Sequence, residues 1–252
     1  MGYLKKIIIN ADDFGYSRAV NYGIVDAHTE GILTSTTLMT NMPAAEQAFE
    51  LGKQHKTLGI GVHLTLTCGR PLLDSHHTLV DAKGNFKKNA NYQEKFHIDQ
   101  DELYEEWKAQ IEAFLSSGLE PTHLDSHHHI NNLGPILPVF QDLAKEFDLP
   151  VRKNFEPNGA KGLITTDYFQ YEPDILLADN DKIIEHFRDA ETIEIMCHPA
   201  YIDKALMNGS TYVMPRLEEL DMLTDESIKQ KILRDERFHF ITYGDLRREG
   251  VM

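Results

Sequence analysis

From Lys5 to Tyr243, short runs of Ile, Val and Thr alternate with longer stretches whose apolar residues recur every three or four positions. The first pattern is that of buried strands and the second that of amphipathic helices. Their alternation restricts the chain to a mostly parallel sheet with crossover helices. Strands are predicted at Lys5 to Ala11, Ile32 to Thr40, Leu58 to Thr67, around His123 to His129, at Val151 to Phe155, at Ile193 to His198 and at Phe238 to Tyr243. Helices are predicted from a Ser17 cap to Gly31, from Pro43 to Gln54, from Asp99 to Gly118, from Pro135 to Phe147, around Ile183 to Phe187, and from Asp225 to Arg234. Trp107 falls on the apolar stripe of its helix and reads as core.

Two segments break the alternation. Residues 68–98 carry Gly69, Pro71 and Gly84 among many polar residues, and read as a long insertion of the kind that is functional or mobile in a compact domain. Residues 159–179 read as loop with some helix. With no boundary signal and no repeat, the 252 residues form one domain spanning 1–252 with the insertion at about 68–98. About seven strands suit either a doubly wound sheet or an irregular (β/α) barrel. The barrel is favoured because Asp12, Asp13, His63, the histidines between 123 and 129, and His198 all fall toward C-terminal ends of different strands. That is the end where barrel active sites assemble.

The stretch Thr122 to His129 holds four histidines and one aspartate. On an extended strand His123, Asp125, His127 and His129 share a face. Imidazole and carboxylate are the common ligands of zinc and its divalent neighbours. An isolated Asp12 and Asp13 pair would read as a solvated turn; beside His63 and the histidine cluster it reads as part of a site. One Asp and two His from separate strands make an open, three-ligand catalytic centre. A further carboxylate beside it suits a general base, and His198 suits protonation of a leaving group. Cys197 reads as a small buried hydrophobe.

The segment Asn10 to Gly15, the Gly61 to His63 strand, Pro121 to His129 and the Cys197 to Pro199 strand end together resemble the YdjC-like carbohydrate deacetylases, which include chitooligosaccharide deacetylases. The resemblance spans essentially the whole chain in the same order. It implies an irregular, polysaccharide-deacetylase-like (β/α) barrel and metal-dependent removal of the N-acetyl group from N-acetylglucosamine-containing oligosaccharides. It further implies one divalent ion, Mg or Zn, on Asp13, His63 and His127, with Asp12 as general base and His198 as general acid. His123, Asp125 and His128 are left to support the ligands or touch substrate, His128 being the rival of His127 for the metal. Arg152 and Tyr201 are candidates to orient the sugar. The competing readings are a hydrolase of another bond, such as an ester or phosphoester, and a sugar- or metal-binding protein without catalysis.

A formal net charge of −15 disfavours nucleic acid and anionic membrane partners. No run approaches the ~20 apolar residues needed to span a bilayer. Two cysteines, Cys68 and Cys197, give no disulfide framework and fit a cytoplasmic protein. A homodimer is the expected state, on the general frequency of such assemblies.

Overall fold

The computed structural model describes residues 4–155 and 162–250. In chain order its elements are β1 (Lys5–Phe14), α1 (Arg18–Thr29), β2 (Ser35–Leu38), α2 (Ala45–Gln54), β3 (Gly59–Leu64), α3 (Gln100–Ser116), β4 (Leu124–Ser126) and α4 (Leu137–Glu146). There follow β5 (Tyr168–Gln170), α5 (Asn180–His186), β6 (Thr192–Cys197), α6 (Lys204–Gly209), α7 (Met214–Thr224), α8 (Glu226–Leu233), β7 (Phe238–Phe240) and α9 (Tyr243–Gly250). The sheet order is β4-β3-β2-β1-β6-β5, with β7 also on β1, and every pairing is parallel. The result is an irregular, curled barrel-like sheet covered by helices. Because all strands run the same way, their C-terminal ends come together at one mouth.

β1 is the centre of the sheet, which is why Ile7, Ile8 and Ile9 are buried on both faces rather than alternating with polar residues. The Ser17 hydroxyl accepts from Val20 N and caps α1, and Asp99 caps α3 by accepting from Asp101 N and Glu102 N. α3 buries Trp107, whose indole N–H donates to the Thr65 carbonyl at 3.1 Å and whose ring meets Phe140 of α4 edge-on. This contact locks the helix pair onto the end of β3. Gly61 of β3 is required by close approach: a Cβ there would lie 2.5 Å from the His123 ring, which stacks on Tyr243 at 3.9 Å.

The insertion is seated on α3. Glu106, fully buried, accepts from the backbone N–H groups of Leu72 (2.9 Å) and Leu73 (3.1 Å) and contacts His76 Nε2 at 3.0 Å. One turn earlier, Glu102 accepts from His77 N (2.9 Å) and Thr78 N (2.8 Å). This seating carries Lys88, Asn89 and Ala90 to the mouth of the sheet.

Several expectations change. Val151 to Phe155 is not a strand; Val151 makes a single parallel bridge to Leu124. Within 159–179, residues 159–161 lie outside the described residues, and Tyr168–Gln170 is a strand on β6. Between His198 and Asp225, where the sequence predicts no helix or strand, lie α6 and α7, and α9 follows the last strand. No helix among the described residues is long and apolar enough to cross a membrane.

Candidate metal centre and active site

β1 ends in a device that aims two adjacent carboxylates at the mouth. Its register on β2 passes from Ala11↔Thr36 to Phe14↔Leu38, so β1 carries one extra residue there, a β-bulge. Asp13 takes up the slack at φ 73°, a left-handed conformation that Asp tolerates better than most residues. On a regular strand Asp12 and Asp13 would face opposite ways. Here both are buried at the site.

Asp13 Oδ1 lies 2.9 Å from His127 Nδ1 and 3.4 Å from His63 Nε2. One atom from each of Asp13, His63 and His127 falls within 4.8 Å of the others. Asp13 Oδ1 and His63 Nε2 are nevertheless buried without an aligned hydrogen bond. Buried polar atoms rarely stay unpaired, so an open acceptor and an unpartnered ring nitrogen facing each other fit a cation. On its other side His63 Nδ1 contacts Asp125 Oδ1 at 2.8 Å, the carboxylate support that orients metal-binding imidazoles. A second grouping, Asp12, His63 and Asp125, is geometrically close. Its carboxylates, however, are occupied by a guanidinium: Arg152 reaches both oxygens of Asp12 at 2.8 and 2.6 Å and Asp125 Oδ2 at 3.0 Å. The Asp13 grouping is therefore the better metal site.

Electrostatics agree. Burial alone would raise the Asp13 pKa, but the charges of His127 and Arg216 hold it well below the usual carboxylate range. Burial opposes charging of His63 and His127, yet Asp125 and Asp12 raise the first to about 10, and Asp13 raises the second to about 9. Without metal both rings are protonated at neutral pH, and a ligating imidazole must be neutral. Metal binding should therefore release up to two protons, with affinity weakening as pH falls below about 9. The expected steepness is up to ~100-fold per pH unit, about tenfold for each proton. Calorimetry in buffers of different ionisation enthalpy counts those protons; a count of zero would reject this ligand set.

Asp12 is held ionised by Arg152, which outweighs its burial. The His198 imidazole at the end of β6 is partly buried, 3.9 Å from Asp12 Oδ2, and burial pulls its pKa down to about 4. The site thus pairs an anchored carboxylate with a neutral imidazole across a short gap.

The remaining sequence candidates are placed as follows. His123 is buried against Gly61 and Tyr243, and Asp125 is buried against His63. His128 is exposed on the cavity wall, its ring over that of His127 at 3.8 Å, and it is not part of the Asp13 grouping. Arg152, expected against the sugar, is instead fully buried. It is tied to Asp12, Asp125 and Glu194 and does not line the cavity. Tyr201, expected alongside it, bonds Asp26 of α1 at 2.7 Å and is also outside the lining.

Residues not singled out from the sequence complete the site. Arg216 of α7 donates to Asp13 Oδ2 at 2.6 Å, and Glu219 of the same helix accepts from Tyr212 Oη (2.6 Å) and from the His198 backbone N–H. Glu194 accepts from Arg152 Nε at 2.9 Å and from Tyr243 Oη at 2.5 Å. The signal for Glu194 is present in the chain: it is a lone carboxylate between Ile193 and Ile195, in phase with His198. Nothing in the sequence marks Arg216. The cavity over the centre holds about 650 Å³.

Comparison with known proteins agrees in extent with this architecture. Residues 6–234 match the family model described as YdjC-like protein. A carbohydrate deacetylase of Halalkalibacterium halodurans is 47% identical over 227 residues, covering 87% of this chain and 95% of that protein. One from Brevibacillus brevis is 41% identical over 249 residues, covering 96% and 99%. The crystal structure of an Enterococcus faecalis protein, described as a candidate cellobiose-phosphate cleavage protein, superposes with a TM-score of 0.85 at 37% identity, covering 96% and 99% of the two chains.

Proposed function

Since the chain belongs to the YdjC-like protein family, we propose that it is a metal-dependent carbohydrate deacetylase that hydrolyses the N-acetyl group of N-acetylglucosamine-containing oligosaccharides to acetate and a free amine. The observation that carries this reading is the unpartnered pair of Asp13 Oδ1 and His63 Nε2 beside His127, with Asp12 and His198 across the gap. A divalent ion held by Asp13, His63 and His127 would supply Lewis acidity and make water a stronger acid. The mixed imidazole and carboxylate donors suit zinc, with magnesium as the alternative.

The protein's own part is proton handling. Arg152 fixes Asp12 with two hydrogen bonds, so the carboxylate meets the attacking water in one orientation. As water adds to the acetamide carbon, Asp12 takes its proton. His198, neutral at rest, receives that proton at Nε2 and delivers it to the amide nitrogen as the C–N bond breaks.

Asp12→Asn should keep stoichiometric metal and lose about 10²–10⁴-fold in kcat. Unchanged turnover, or loss of metal, would overturn the base assignment. The primary test is acetate release from diacetylchitobiose by protein stripped of metal and resupplied with Zn²⁺, Mg²⁺ or Co²⁺. Release restored by metal supports the proposal; metal bound without release rejects it for this sugar. A cytoplasmic location is supported by the free thiols of Cys68 and Cys197, and the proposed homodimer is checked by light scattering.

A further inference from the structure

Asp12, Asp13, His127 and His198 occupy part of the cavity wall; another part is formed by His128, His129, Tyr171 and Pro173. Two consecutive non-glycine residues there, His128 (φ 58°, ψ 22°) and His129 (φ 53°, ψ 29°), are left-handed. Each such residue costs roughly 1–2 kcal/mol. They follow directly on His127, the first residue past the end of β4, and both residues line the cavity instead of continuing the alternation of that strand.

Hydrogen bonding fixes what each ring offers. Asn154 Oδ1 accepts from Asn131, and Asn154 Nδ2 donates to Asn131 Oδ1 and to His129 Nδ1 at 3.0 Å. With Nδ1 accepting, the His129 proton sits on Nε2. The buried Thr67 hydroxyl lies 2.8 Å from His128 Nδ1 and imposes the same tautomer when it donates. Among the described residues neither Nε2–H has a protein acceptor. Beside them Tyr171 is 50% exposed, its ring packed edge-to-face against His129 at 5.3 Å and Phe169 at 4.6 Å. An anchored aromatic with an open surface next to two free N–H donors matches a pyranose, which has an apolar face and a rim of oxygen acceptors. The 650 Å³ cavity has the volume of roughly twenty liquid waters. One acetylated amino sugar has fewer non-hydrogen atoms than that and leaves part of it empty.

We propose that Tyr171, His128 and His129 form the subsite that receives the second sugar ring of the oligosaccharide. The proposal rests on the deacetylase reading. Its test is calorimetric binding to the metal-loaded Asp12→Asn protein, comparing diacetylchitobiose with the single-ring N-acetylglucosamine. Tyr171→Ala and His129→Ala should each weaken the two-ring ligand about tenfold or more and leave the one-ring ligand within about twofold. Tyr171→Trp keeps an aromatic face and should retain two-ring affinity; because Tyr171 is exposed, both replacements there should fold. Equal weakening of both ligands, or of neither, overturns the subsite while leaving the deacetylase reading intact. If the unsubstituted binding site takes up neither sugar, both readings fall together.

Discussion

Asp13→Asn should empty the centre and stop the reaction together. Asparagine preserves the shape of the side chain but removes the charge that His127 at 2.9 Å and Arg216 at 2.6 Å are arranged around. The Arg216 guanidinium, no longer balanced, would then repel a divalent ion that the carboxylate had attracted. Metal affinity should fall by more than the roughly 10–100-fold that supporting residues of metal ligands contribute. Deacetylation should fall at least about 10³-fold, the upper scale for removing one electrostatic stabiliser from an acyl-transfer site. Elemental analysis after dialysis, beside acetate release, checks both. A variant that keeps one metal per chain and turns over within tenfold of the parent would show that Asp13 is not a ligand. The contrast with Asp12→Asn separates the adjacent carboxylates: one loses metal and turnover, the other turnover alone.

Arg152→Met should be the most destabilising single change at the site. The guanidinium is fully buried and serves Asp12, Asp125 and Glu194, so methionine leaves three buried carboxylates without their shared cation, Asp125 keeping only His63 and Glu194 only the Tyr243 hydroxyl. Breaking a buried ion pair from one side costs about 3–5 kcal/mol, and for a domain of this size that lowers Tm by about 6–20 °C. The pH dependence provides a second signature. In the parent, Arg152 depresses the Asp12 pKa, so this group's contribution is present above the ordinary carboxylate pKa and is lost as pH falls through the depressed one. In the variant burial acts on Asp12 and Glu194 without the opposing guanidinium, so both should titrate above their unfolded values and the folded state should bind extra protons. The deficit relative to the parent should therefore shrink as pH drops from 7 toward 5. Urea unfolding at the two pH values measures it; a deficit that grows toward pH 5 would contradict the account. Adding Glu194→Gln to Arg152→Met should restore part of the loss by removing one stranded charge.

What the sequence disclosed of this site depended on what strands reveal. Ile7 to Ile9, Gly61 to His63 and Ile193 to His198 each announce a buried strand whose polar end must face the mouth, so the order of residues alone groups Asp13, His63 and His198. Face alternation was sound for His123 and Asp125, which lie in or beside β4. It failed after Ser126, because two consecutive left-handed histidines have no signature in residue type. The bulge at Asp13 is hidden for the same reason: register is a property of two strands, and β1 alone does not declare it. Arg152 reads as a partner for sugar because it lies on the strand predicted to follow the histidine cluster. Its burial is decided by Asp12, Asp125 and Glu194, distant in sequence. Arg216 and Glu219 sit on a helix of weak amphipathic pattern, and only tertiary packing brings that helix to Asp13.

The seating of residues 68–98 bears on how the chain can diverge. Glu102 and Glu106 grip the insertion largely through the backbone N–H groups of residues 72, 73, 77 and 78, and nearly every residue type supplies such a group. Outside its buried core residues Leu79, Phe86, Tyr92 and Ile98, the insertion's own sequence is therefore freer to drift while its attachment persists. Lys88, Asn89 and Ala90 stand at the cavity rim on this insertion, and not on the strands that carry Asp13 and His63, so selection can rewrite the rim while inheriting the chemistry beneath it.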